Sequence, residues 1–136
     1  MATIHINAPA ETVWKALTAP NKRKQWFFGV DTDTNWKVGS PIRHTGEWQG
    51  KPYEDKGVVK AFEPPRRLVH THWSQMSGRP GKPENYETVS VALVERNGGT
   101  DVTVSEANIA DAKQAAMSDE MWGQALAKLK EVAEKD

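Results

Sequence analysis

The sequence predicts an α+β domain in which one long C-terminal helix lies across a curved antiparallel β-sheet. Three observations carry that expectation. From Gly39 to Ala107 apolar and polar residues alternate with period two, interrupted by Gly, Pro and Asn turns. Two short helical patterns precede this region. After it, Trp122, Ala125, Leu126, Leu129 and Ala133 form one stripe at helical spacing.

The elements follow in order. Ile4 and Ile6 alternate with Thr3, His5 and Asn7, which marks a short strand with one buried face. Pro9 suits a first helical position and Glu11 complements the helix dipole, while Val13, Trp14 and Leu17 make an apolar stripe that Pro20 interrupts. A second short helix is expected over 21–28, delivering Trp26 and Phe27 before the turn at Gly29. Strands are then expected over 41–48, 54–62, 67–74, 86–96 and 100–107. Their separators are Gln49-Gly50-Lys51-Pro52, Glu63-Pro64-Pro65, the Gly- and Pro-rich loop 77–85, and Asn97-Gly98-Gly99, a strong hairpin signal. The last helix is expected over 119–135, with Ser118 as its cap and Asp119 and Glu120 in its first turn.

Bulk properties narrow the function classes. With 136 residues the chain is expected to form a single domain, 1–136. No cysteine is present, which removes thiolate chemistry and disulfides and fits a reducing compartment, so the cytoplasm is the expected location. No secretory leader or long apolar run is visible, so membrane insertion is not expected. Eighteen basic residues balance eighteen acidic ones, and the lone basic cluster, Asn21-Lys22-Arg23-Lys24, reads as a solvated helix face; nucleic acid is not an expected partner.

The runs INAPAETVWKALT, Trp26-Phe27, Trp36 with Gly39, EPPRRL, ERNGGTDVTVSE, and Trp122 with Leu126, Leu129 and Lys130 resemble, in order and spacing, a known family. It is the heat-shock-protein-90 ATPase activator homologue-like branch of the START-like (SRPBCC, helix-grip) superfamily, and the resemblance covers almost the whole chain. Two departures are Gly39-Ser40, where a glycine pair is usual, and His70 and His72, where aromatics are commoner. The resemblance implies a helix-grip fold with a cavity between sheet and helix, holding a small apolar or amphipathic molecule. It also allows a role as a chaperone cofactor or protein-interaction module, and a homodimer.

Carried onto that fold, strand alternation makes Ile42, His44, Trp48, His70, His72, Val91 and Glu106 the candidate ligand-binding residues. The opposite register for 67–74, with Trp73 inward, is the alternative. Four of the seven are ionisable, and polar groups inside an apolar cavity need partners. A cyclase- or hydrolase-like enzyme using a His/Glu acid–base set is the alternative function, although no nucleophile elbow or phosphate loop is present and no catalytic residue is assigned. No cofactor is expected. A metal is not expected either: His70 and His72 lie about 6.6 Å apart along one strand, and His44 lies about 9.6 Å away across two strands.

Overall fold

The computed structural model describes residues 1–74, 80–109 and 111–135, with the side chains of Trp48 and Pro83 excepted. Its elements are β1 (Ala2–Ile6), α1 (Ala10–Thr18), α2 (Pro20–Trp26), β2 (Asp31–Asp33), β3 (Pro41–Trp48), β4 (Lys51–Glu63), β5 (Arg67–Ser74), β6 (Glu87–Arg96), β7 (Gly99–Ala107) and α3 (Ala112–Glu134). The strands form one seven-stranded antiparallel sheet in the order β1-β7-β6-β5-β4-β3-β2. Helix α3 packs against β1, α1 and α2. This is the expected α+β helix-grip arrangement.

Local chemistry explains the turns. Gln49-Gly50 and Asn97-Gly98 both take positive φ, the conformation that lets a two-residue hairpin follow the right-handed twist of its strands. The sheet bends where β4 crosses β5. A Cβ on Gly57 would sit 1.7 Å from the Thr71 carbonyl oxygen, so only glycine permits that backbone approach. Val58 N–H donates to the Thr71 hydroxyl instead of to a ladder carbonyl, and the register shifts between Val59 and Ala61. Irregularities of this kind increase local twist and let a sheet curve around a helix.

Ile6, Val13, Leu17, Trp26, Leu68, Val102, Val104, Leu126 and Leu129 are essentially inaccessible and form the core between sheet and helices. Burying each large apolar side chain is worth roughly 1.5–3 kcal/mol, so the α3 stripe anchors the fold.

Two expectations are corrected. Helix α3 begins seven residues earlier than the cap signal at Ser118 suggested, because Asp111 caps it by accepting the Gln114 N–H at 2.8 Å. Ser118 lies inside the helix and bonds the Glu106 carboxyl instead. The short strand β2 was not expected; it pairs with β3 and carries Thr32. In the 77–85 loop, 80–85 are described: Pro83–Asn85 form a 3-10 turn, and Asn108 donates to the Glu84 and Tyr86 carbonyls. Its earlier residues lie outside the described ones.

Candidate functional site

The strand face that meets the helices is polar at its middle. His44 projects from β3, Asp55 from β4, His70 and His72 from β5, Glu87 from β6 and Glu106 from β7; Arg23 and Phe27 on or just past α2, and Ser118, Met121 and Trp122 on α3, cover them. The β5 register is the one with Leu68, His70 and His72 inward. Trp73 points outward, stacking on Tyr86 at 6.3 Å under the Lys56 ammonium.

Arg23 organises this face. Three residues before Trp26, it shares the inward side of α2 and is 3% exposed. Its Nε donates to the Thr32 hydroxyl and its Nη1 to the Leu17 carbonyl, both at 3.0 Å. The guanidinium lies over the rings of Trp26 and Phe27 at 5.1 Å and Trp36 at 5.8 Å, a cation–π enclosure. Burial lowers its pKa to about 10, which leaves it charged at neutral pH. Among the described residues no carboxylate pairs with it.

The Thr32 hydroxyl passes the network on to His44 Nδ1, also at 3.0 Å. The Thr32 oxygen accepts from Arg23 and keeps its own proton for Nδ1; where it donates there, His44 carries its proton on Nε2. His70 has the opposite tautomer. Its Nδ1 lies 2.9 Å from the Thr71 carbonyl oxygen, which only accepts, so Nε2 is left as a bare acceptor. Burial first, and the Arg23 charge second, push His44 down to about 2 and His70 to about 3, so both rings are neutral. Their centroids are 5.7 Å apart, and His44 is 5.8 Å from His72. The rings converge more than strand spacing suggested, yet among the described residues no group of three or more His, Asp or Glu side chains is arranged to hold a metal ion.

His72 is held differently, with Nε2 3.1 Å from Asp55 Oδ2. The other oxygen, Asp55 Oδ1, is buried with no hydrogen-bond partner among the described residues. Glu106 is half-buried, and burial together with the neighbouring Glu87 charge raises its pKa, which Ser118 partly offsets by hydrogen bonding.

The enclosed space is small. A cavity of about 70 Å³ lies between Arg23, His44, His70, His72, Glu106 and α3, room for a few waters or a small polar group. Outside it a groove of about 460 Å³ is lined by Phe27, Phe28, Val30, Glu47, Tyr53, Asp55 and Met121, with His44 at its floor. Phe27, His44 and Met121 border both spaces. Phe28 holds a φ of +53°, unusual for a bulky residue, and its ring is half exposed at the groove.

Of the candidate residues, His44, His70, His72 and Glu106 meet at the cavity. Ile42 and Val91 are buried and border neither space. The Trp48 side chain lies outside the described part. Sequence reading missed Arg23, Phe27, Asp55 and Met121. The signals were present: Arg23 sits at i−3 from Trp26, and Asp55 shares the β4 face of buried Val59.

Among other surfaces, a groove of about 450 Å³ lies between α1 and the ends of β5 and β6, lined by Ala10, Pro65, Arg66, Leu93, Val94 and Glu95. It holds no buried ionisable group.

A curved antiparallel sheet gripping one long helix defines a helix-grip protein of the START-like class. The chain belongs to the family described as Activator of Hsp90 ATPase homolog 1-like protein, whose pattern matches residues 7–134. It is 38% identical to ChR145 from Cytophaga hutchinsonii, with 98% of this chain and 93% of that one covered at a TM-score of 0.81. Two more distant structures share the fold. DynU16, a protein of the dynemicin biosynthetic locus, is 21% identical, with 98% of this chain and 46% of that one covered at a TM-score of 0.80. The Aha1 dimer from Colwellia psychrerythraea is 22% identical, with 96% and 92% covered at 0.75. No functionally curated protein matches the sequence.

Proposed function

We propose that the chain is a small-molecule binding domain whose site is the groove over His44, with the apolar body of the ligand in the groove and its polar end directed to the imidazoles beneath. One observation carries the reading: His44 belongs to both the 460 Å³ groove and the small polar cavity. Of these two spaces the groove falls in the roughly 300–1,000 Å³ range of small-molecule sites, and its aromatic walls with a few convergent polar groups have the usual composition, which the 450 Å³ groove beside α1 lacks. The cavity alone admits no more than a ligand's head. Among the proteins that share the fold, DynU16 belongs to a biosynthetic locus, that of dynemicin.

An acid–base enzyme is a weaker reading on this geometry. With conjugate acids near 2 and 3, His44 and His70 are poor bases and are not acids at neutral pH. A protein-interaction role needs no cavity at all. Titration with the neutral dye Nile red separates these possibilities: saturable binding with blue-shifted emission is expected, weakened at least five-fold by Phe28→Ala or Tyr53→Ala and unchanged by Val94→Glu in the other groove. Absence of binding, or equal loss in all three variants, contradicts the proposal. Because the Colwellia relative is a dimer, the titration is run beside light scattering, so that a change of oligomeric state is not read as binding.

A further inference from the structure

Charges are not spread evenly over the concave face. Arg23 is tied to Thr32 on β2 and lies beside His44 on β3, whereas Glu87 and Glu106 project from β6 and β7 toward the other end of the sheet. Asp55 and His72 pair with each other between them. Glu47 stands exposed on the groove wall. The buried cation therefore lies away from the half-buried Glu87 and Glu106, with the neutral rings of His44 and His70 interposed.

Arg23 is also under-bonded. Its five N–H donors meet two acceptors, Thr32 and Leu17, and Nη2 donates to none of the described residues and is not sealed off, so it is open to a ligand. A guanidinium without a carboxylate, 3% exposed and bordering a cavity, is an expensive arrangement for a purely structural purpose. A hydrocarbon side chain packs against Trp26, Phe27 and Trp36 without that desolvation cost. Charged groups kept in such positions are expected where function needs them.

We propose that Arg23 is an anion-recognition residue and that the ligand is an acid: an apolar body in the groove and a carboxylate head in the cavity, accepting from the Arg23 guanidinium and from His44 Nε2–H. This rests on the small-molecule reading above and specifies its ligand class. The head's size fits, since a carboxylate takes the place of a few waters and the cavity of about 70 Å³ has room for that but not for a large apolar body. Planar guanidinium matches carboxylate through paired N–H···O bonds, and low local dielectric strengthens the pairing. The bare Nε2 of His70 is an acceptor, so it repels a deprotonated head and favours placement on the Arg23 side.

The test compares three probes with one tail and different heads: decanoate, decanol and decylamine, measured by calorimetry at neutral pH against the native chain, Arg23→Gln and Arg23→Lys. Native protein is expected to bind decanoate at least ten-fold more tightly than decanol, and decylamine most weakly. Arg23→Gln should bring decanoate and decanol within about two-fold of each other, the change lying mainly in decanoate affinity. Arg23→Lys should retain part of the preference. Both variants should melt cooperatively, since neither leaves a large void; if Arg23→Gln does not fold, Arg23→Lys against native decides, with an undiminished decanoate preference overturning the assignment. Equal binding of decanoate and decanol by native protein, or a preference that survives Arg23→Gln, overturns the acid assignment alone. Tighter decylamine binding overturns it in favour of Glu87 and Glu106. Failure of all three probes to bind overturns the small-molecule reading as well.

Discussion

The Nδ1–H of His70 is spent on the Thr71 carbonyl oxygen 2.9 Å away, which fixes the tautomer of a ring that burial keeps neutral and leaves Nε2 as the acceptor at the cavity. Thr71 is the residue whose backbone β4 approaches at Gly57 and whose hydroxyl takes the Val58 N–H. The bend of the sheet and the tautomer of the site are thus made at one place.

A pH dependence of stability follows. His44 and His70 have folded-state values of about 2 and 3 against an ordinary 6.5, so on acidification the unfolded chain takes up protons first. Their neutral burial is fully tolerated above about pH 6.5, and stability is lost as pH falls from there toward the folded values, on the order of 1 kcal/mol per pH unit for each ring. Urea midpoints measured between pH 7 and pH 4.5 should fall. His44→Asn and His70→Asn should each flatten that slope, and an unchanged slope in both would show that the rings titrate freely.

Gly57→Ala should destabilise by several kcal/mol. The added Cβ meets backbone, not a flexible side-chain end, so relief requires separating β4 from β5. Thermal melting measures it. A variant within 1 °C of the parent would mean that the close approach is absent in solution.

Leu126→Ala and Leu129→Ala should each cost about 2–5 kcal/mol, because both side chains are essentially inaccessible beneath α3 and truncation leaves a cavity. Val94→Ala, on an exposed position of β6, should change stability by less than about 0.5 kcal/mol. Denaturant midpoints of the three variants, compared at constant m-value, check both halves.

Much of the fold was legible because its signals are local. Strand bounds at 41–48 and 67–74 match β3 and β5, where alternation runs between Pro and Gly punctuation. The start of α3 was not legible: Ser118, Asp119 and Glu120 imitate a cap, while the actual cap, Asp111, precedes the nearly alanine-rich stretch Ala112–Ala116, which has no apolar stripe of its own. β2 escaped because three residues are too few to show alternation. In the site, alternation brought His44, His70, His72 and Glu106 to one face. Arg23 was hidden by its sequence neighbours, since Lys22 and Lys24 made the cluster look solvated although helical spacing sets Arg23 on the Trp26 side.

The central claim concerns which surface receives the ligand, and backbone amide NMR of the native chain with decanoate tests it most directly. Shifts are expected at Phe27, Phe28, Val30, His44, Tyr53 and Met121, saturating together with one affinity, while Ala10, Arg66, Leu93 and Glu95 around the other groove stay still. Shifts confined to that other groove, or none anywhere at saturating probe, would contradict the account.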